Sequence, residues 1–186
     1  HSVLSHQMIG EDVLITGAGP IGLMSIKVCK FVGARNIVIT DENEFRLNLA
    51  KEFGASKALN VKTQNITDHF KDLKIINGFD VGLEMSGNPH ALNDMLTHMH
   101  HGGKVSLLGL LPKTTNINWD DVIFKGLILK GIYGREMYET WYKMTQMLKS
   151  GLDVSQVITH RIPVDNFEEG FRVMESGQCG KVIMKW

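Results

Sequence analysis

The chain has 186 residues, so one domain is expected against the usual roughly 100–200 residues per domain. Hydrophobic residues make up 43% and charged residues 22%, a globular composition that excludes wholesale disorder. Twenty Lys and Arg balance twenty Asp and Glu, without the basic excess of a nucleic-acid binder, and no apolar run approaches the roughly 18 residues that span a bilayer. Neither nucleic acid nor membrane is therefore an expected partner.

Apolar runs and helical patterns alternate from end to end. Val13-Leu14-Ile15-Thr16 is a β-rich run, and residues 20–32 carry apolar groups at helical spacing up to Gly33. Ile37 to Thr40 is the next run. Phe45, Leu49 and Phe53 then follow at i, i+4 and i+8 before Gly54. Ala58 to Val61 reads as a third strand, residues 65–74 as a weaker helix, and Phe79 to Met85 as a fourth strand. Leu92, Met95, Leu96 and Met99 stripe the next helix, and Lys104 to Gly109 and Leu127 to Tyr133 are strands five and six. Residues 110–126 are irregular, with Trp119, Val122, Ile123 and Phe124 expected to pack. Met137, Trp141, Met144 and Leu148 mark a further helix, read as core. Phe167, Phe171 and Met174 mark the last helix, opened by the capping pair Asp165 and Glu168, and Val182 to Met184 closes the chain. Strand–helix alternation predicts an α/β fold, a doubly wound six-stranded parallel sheet with helices on both faces, in three layers.

Cys29 and Cys179 lie far apart and outside any C-x-x-C, which excludes a disulfide framework or a Cys-rich zinc site and suits a reducing cytoplasm. The start, His1-Ser2-Val3-Leu4, has neither a secretory pattern nor an initiator Met, so the chain reads as a piece of a longer protein.

Gly17-Ala18-Gly19-Pro20-Ile21-Gly22 fits G-x-G-x-x-G between the first strand and the first helix, and Asp41 ends the second strand 19 residues after Gly22. That context is what a dinucleotide site requires. Gly17 permits the turn, Gly19 lets backbone approach a pyrophosphate, and Gly22 lets helix pack on strand. Pro20 suits the first helical turn, whose free amides and dipole favour phosphate. Asp41 is expected to accept from the adenosine ribose hydroxyls, favouring NAD over NADP, while Arg46 could hold a 2′-phosphate or flank the adenine. The competing readings are a bare tight turn and an S-adenosylmethionine site; a P-loop is excluded, since no G-x-x-x-x-G-K-[ST] follows.

In the strand order 3-2-1-4-5-6, ligands lie across the carboxyl ends of the strands. That selects Gly17 to Gly22, Asp41, Glu84 to Gly87, Leu108-Gly109-Leu110 and Ile132-Tyr133-Gly134-Arg135. His98, His100 and His101 form H-x-H-H at the end of a helix, where a charge facing the helix C-terminus is favoured over metal binding. Hydride transfer also needs a proton acceptor or a metal, and no zinc cluster or Tyr-x-x-x-Lys pair is legible. The cofactor half of a dehydrogenase is present without its catalytic half.

The glycine loop, Asp41 with Arg46, Phe79 to Gly87, His101-Gly102-Gly103 and Phe124-Lys125-Gly126 resemble the Rossmann cofactor domain of zinc-dependent medium-chain dehydrogenases. Lys130 to Tyr142, with Ile158-Thr159-His160-Arg161, resembles their threonine-oxidising branch, from about Gly10 to Trp186. The resemblance implies a single NAD-binding domain over residues 1–186. It also implies a cytoplasmic homotetramer that oxidises L-threonine to 2-amino-3-oxobutanoate with NAD. By the same resemblance Ile21, Asp41 and Arg46 contact the nucleotide, and Leu108, Gly109, Leu110, Ile132 and Tyr133 lie along the nicotinamide. The family's zinc ligands and proton relay belong to an N-terminal GroES-like domain with no counterpart here, so the chain alone is expected to be inactive. A polyol or alcohol dehydrogenase of the same superfamily and a non-catalytic NAD-sensing module are the alternatives.

Overall fold

The computed structural model describes residues 1–186. Six strands form one parallel sheet: β1 (Asp12–Thr16), β2 (Asn36–Asp41), β3 (Lys57–Asn60), β4 (Phe79–Glu84), β5 (Met99–Leu107) and β6 (Ile128–Gly131). Their order is β3-β2-β1-β4-β5-β6, the doubly wound order expected. The central strands are buried on both faces, so alternate side chains feed two separate cores. Val13, Ile15, Ile37 and Ile39 pack with Leu23, Ile26 and Cys29 of helix α1 (Pro20–Phe31) and with Leu47 and Ala50 of helix α2 (Glu44–Glu52). Leu14, Val38 and Val105 pack on the opposite side with Leu92, Met95 and Leu96 of helix α4 (Pro89–His98).

Several local expectations are corrected. In α2 the fully buried positions are Leu47 and Ala50, with Phe53 just beyond; Phe45 and Leu49 are only partly covered, Leu49 packing against the edge of the core. Residues 65–74 are not one helix. A 3₁₀ turn, Ile66–His69, leads into a single turn, α3 (Phe70–Leu73), which stops at Lys74 in the left-handed region at φ 56°. Strand β5 begins earlier than expected, at Met99, so His100 and His101 sit on a strand and only His98 ends a helix. His98 Nδ1 lies 2.7 Å from the Asp94 carbonyl.

Within 110–126 a short helix, α5 (Trp119–Phe124), forms, yet Trp119, Ile123 and Phe124 face outward. The stripe of helix α6 (Glu139–Lys149), Trp141, Met144 and Leu148, is likewise largely exposed rather than core. So is the stripe of helix α7 (Phe167–Glu175), Phe167, Phe171 and Met174. Periodicity identifies an apolar face but not what covers it. Helix α7 has no side-chain cap from Asp165; residues Val164–Asn166 form a 3₁₀ turn there instead.

The closing strand does not join the main sheet. β8 (Lys181–Lys185) pairs in parallel with β7 (Ile158–Pro163), and α7 is the crossover between them. Gly170 is buried where α7 lies on this pair, since a Cβ there would sit 3.2 Å from the Met184 methyl. Asn43 Nδ2 donates to the Gly177 carbonyl at 3.0 Å, tying the unit to the turn after β2. No helix is long and apolar enough to cross a membrane.

Candidate functional site

The glycine loop occupies the switch point, where β1 neighbours both β2 and β4. Gly17 turns at φ +89°, a conformation that favours glycine. Its amide donates to the Thr40 carbonyl at 2.8 Å. A Cβ on Gly22 would collide with the Gly17 carbonyl oxygen, so only glycine allows this approach of α1 to the loop. Gly19 is the reverse case: it precedes Pro20, the first residue of α1, and a Cβ there would meet nothing within 4 Å. Open space before the free first-turn amides of a twelve-residue helix suits a phosphate.

Asp41 closes the loop from β2. Its Oδ2 accepts from the Ala18 amide at 2.6 Å, and its Oδ1 accepts from the amides of Glu42 at 2.8 Å and Asn43 at 2.9 Å. The carboxylate therefore locks the glycine loop to the end of β2 while staying on the rim of a cleft. Arg46, one turn into α2, has a buried Nε with no acceptor. A buried donor without a partner is costly, and here it stands on the helix that follows Asp41.

Two clefts lie along the carboxyl edge. The first, about 840 Å³, is polar and is lined by Gly17, Thr40, Asp41, Lys62, Ser86 and Asn88, among others. The second, about 540 Å³, is apolar and is lined by Ile21, Met24, Leu108, Ile132, Arg135 and Trp141, with the N-terminal residues and Met144, Met147 and Leu148 of α6. The structure thus divides the predicted residues. Gly17 and Asp41 face the polar cleft; Ile21, Leu108 and Ile132 face the apolar one. Leu110 and Tyr133 project outward, 95% exposed. Gly109 is wedged against the turn after β4, where a Cβ would strike the Gly87 amide and Glu84 Oε2.

Sequence reasoning missed Val61 to Asn65, which follow β3 and line the polar cleft with His90 and Asp94. The strand-end rule was applied to five strands and omitted β3, and applied there it selects this turn. Trp141 and Leu148 were read as core but line the apolar cleft. No group of three or more His, Cys, Asp or Glu side chains converges as a metal site, so the residues present do not form the zinc centre that the resemblance implies.

Residues 20–150 match the family model described as zinc-binding dehydrogenase. Across all 186 residues the chain is 58% identical to an L-threonine 3-dehydrogenase of Aliivibrio fischeri (strain MJ11) and 59% identical to one of Legionella pneumophila (strain Corby), covering 54% and 55% of those proteins. The chain spans about half the length of the curated relatives it matches. The whole chain also superposes on 53% of L-idonate 5-dehydrogenase from Escherichia coli K-12, with a TM-score of 0.86 and 26% identity. It matches the fold of 2R,3R-butanediol dehydrogenase from Bacillus subtilis with a TM-score of 0.88 over 54% of that chain, at 22% identity. With its glycine loop, switch-point clefts and family-model match in agreement, the chain belongs to the zinc-binding dehydrogenase family.

Proposed function

We propose that residues 1–186 are the NAD-binding domain of an L-threonine dehydrogenase. The observation that carries the cofactor reading is the Asp41 carboxylate bonded to the Ala18 amide beside the open space at Gly19. This places a negative charge where a ribose would lie and a free helix N-terminus where a diphosphate would lie. Gly17, Gly19, Pro20, Ile21 and Gly22 would cradle the diphosphate. Asp41 would accept from the ribose hydroxyls, and Arg46, on the first turn of α2, would flank the nucleotide. Leu108, Gly109, Leu110, Ile132 and Tyr133 would form the nicotinamide side, with Leu108 and Ile132 lining the apolar cleft and Leu110 and Tyr133 at the exposed strand ends beside it. When bound, NAD supplies the hydride-accepting ring. The chain's own residues bind it, orient it and keep water from one wall of the cleft.

The substrate reading rests on 58–59% identity over all 186 residues to proteins named L-threonine 3-dehydrogenase. A zinc site and a proton relay are assigned to a segment outside these residues. The isolated chain then binds NAD weakly and turns over nothing, whereas the whole protein oxidises L-threonine, as a cytoplasmic homotetramer. Calorimetric titration of the chain with NAD, NADP and S-adenosylmethionine tests the cofactor. Heat with NAD alone is expected; binding of S-adenosylmethionine alone overturns the reading. Threonine-dependent NADH formation by the whole protein, compared with a polyol and alcohol panel, tests the substrate. Turnover by the 186-residue chain alone would refute its predicted inactivity.

A further inference from the structure

Glu84, the last residue of β4, is the one fully buried carboxylate at the switch point, with 0% exposure. Its Oε1 accepts from the Ser86 amide at 2.8 Å, the Ser86 hydroxyl at 2.5 Å and the Gly87 amide at 2.9 Å, with the Thr16 hydroxyl farther off at 3.4 Å. Its backbone carbonyl accepts from the amides of Leu108 at 3.0 Å and Gly109 at 3.1 Å. Its Oε2 is buried without a partner, close against Gly109. The side chain thus bonds the turn after β4 and the end of β1 and packs its Oε2 on Gly109 of the turn after β5, whose amides the backbone carbonyl, common to any residue, already holds.

Those segments belong to different clefts. Ser86 and Asn88 line the polar cleft, and the Ser86 hydroxyl that donates to Glu84 accepts from the Asn88 amide at 3.1 Å. Leu108 lines the apolar cleft. Gly17 packs on the same turn, since a Cβ there would lie 3.1 Å from Ser86 backbone atoms. Burying a carboxylate with one oxygen unpaired is unfavourable for folding, and such an orphan in a native structure needs an explanation. Oε1 gathers three donors within 2.9 Å, all from the turn after β4, as one acceptor oxygen can do.

We propose that Glu84 is a positioning residue that couples the two clefts, so that the two halves of a dinucleotide bind as one ligand. This rests on the NAD reading above. Glu84 need touch no part of the cofactor; it sets the turn after β4 against the turn after β5, and the gap between them fixes where the second half can lie.

The test compares NAD with AMP, which carries one half only, by calorimetry on the whole protein. The quantity read is the ratio of NAD to AMP affinity, alongside the thermal midpoint. Glu84→Ala is expected to lower the ratio about tenfold, since loosening a supporting shell by an ångström is enough to lose that much. Glu84→Gln keeps the Oε1 acceptor and is expected to restore the ratio to within about threefold of wild type. A purely structural role would lower the midpoint and leave the ratio unchanged, and that result overturns the proposal. A Glu84→Gln ratio as low as that of Glu84→Ala overturns the acceptor role. Should Glu84→Ala not fold, Thr16→Val with Ser86→Ala removes both hydroxyl donors. A ratio unchanged there is equally fatal, and a fall of about threefold is the expected result. Absence of NAD binding to the wild type defeats the cofactor reading itself, and the proposal with it. NAD binding with no change of ratio in any variant defeats the proposal alone.

Discussion

The Ala18 amide donates to Asp41 Oδ2 at 2.6 Å, across the gap between the glycine loop and the end of β2. The acid that would recognise a ribose therefore also shapes the loop that would hold the diphosphate. Asp41→Asn keeps an acceptor but loses the charge, and replaces one oxygen by a donor that faces N–H groups. NAD affinity is expected to fall roughly 10–100-fold, the scale of a charge-assisted bond. NADP affinity should fall less, because the repulsion of a 2′-phosphate is relieved while Arg46 remains. Parallel titrations with the two cofactors decide this, and an equal loss for both would contradict it.

Two glycines of one loop should separate stability from binding. A Cβ on Gly22 collides with the Gly17 carbonyl, whereas a Cβ on Gly19 meets nothing within 4 Å. Gly22→Ala is expected to destabilise the chain by about 1–3 kcal/mol, in the range of overpacking substitutions. Gly19→Ala should leave the thermal midpoint nearly unchanged yet weaken NAD binding about tenfold, because the methyl group enters the phosphate space. Thermal melts paired with titrations provide the check.

His6 provides a pH dependence. It is half-buried, its Nε2 has no partner, and burial followed by the charges of Lys130 and Lys104 pushes its pKa below the ordinary 6.5. The unfolded chain then binds the proton more tightly than the folded chain, so protonation favours unfolding. The contribution is intact above about pH 6.5 and is lost as the pH falls from there toward the lower folded value. His6→Phe removes this titration, and the fall of melting temperature on the acid side should become shallower. An identical slope in the variant would rule His6 out as its source.

The thiols are expected to be inert in the folded chain. Both cysteines are buried, and burial pushes the Cys29 thiol up to about 12, so its reactive thiolate is scarce at neutral pH. Alkylation should reach neither cysteine before unfolding and both in denaturant, as mass spectrometry would report. Rapid native labelling of Cys29 would show that the core around α1 opens locally.

How far the site was legible follows from which residues act locally. Gly17, Gly19 and Gly22 announce themselves because a tight turn and a close helix–strand approach are demands made within six residues. Asp41 is visible because the end of β2 has a fixed place beside β1. Val61 to Asn65 escaped because nothing in their composition marks a binding wall; only the place of β3 beyond β2 brings them to the polar cleft. Glu84 was selected from the sequence only as the end of β4. Its function as an anchor depends on Ser86, Gly87, Leu108 and Thr16 meeting around it, and no spacing encodes that meeting.

The amino-acid pattern alone determined the strand–helix alternation, the doubly wound sheet and the dinucleotide loop, because hydrophobic periodicity and glycine geometry are local and strong. Tertiary structure alone decided which apolar stripes are covered. The stripes of α4 and α7 look alike in sequence, yet Leu92, Met95 and Leu96 are buried while Phe167, Phe171 and Met174 are largely exposed. It also decided that β8 pairs with β7 rather than extending the main sheet. Burial is a property of what packs opposite a face, and strand pairing joins residues distant in the chain; neither is written in the residues of one segment.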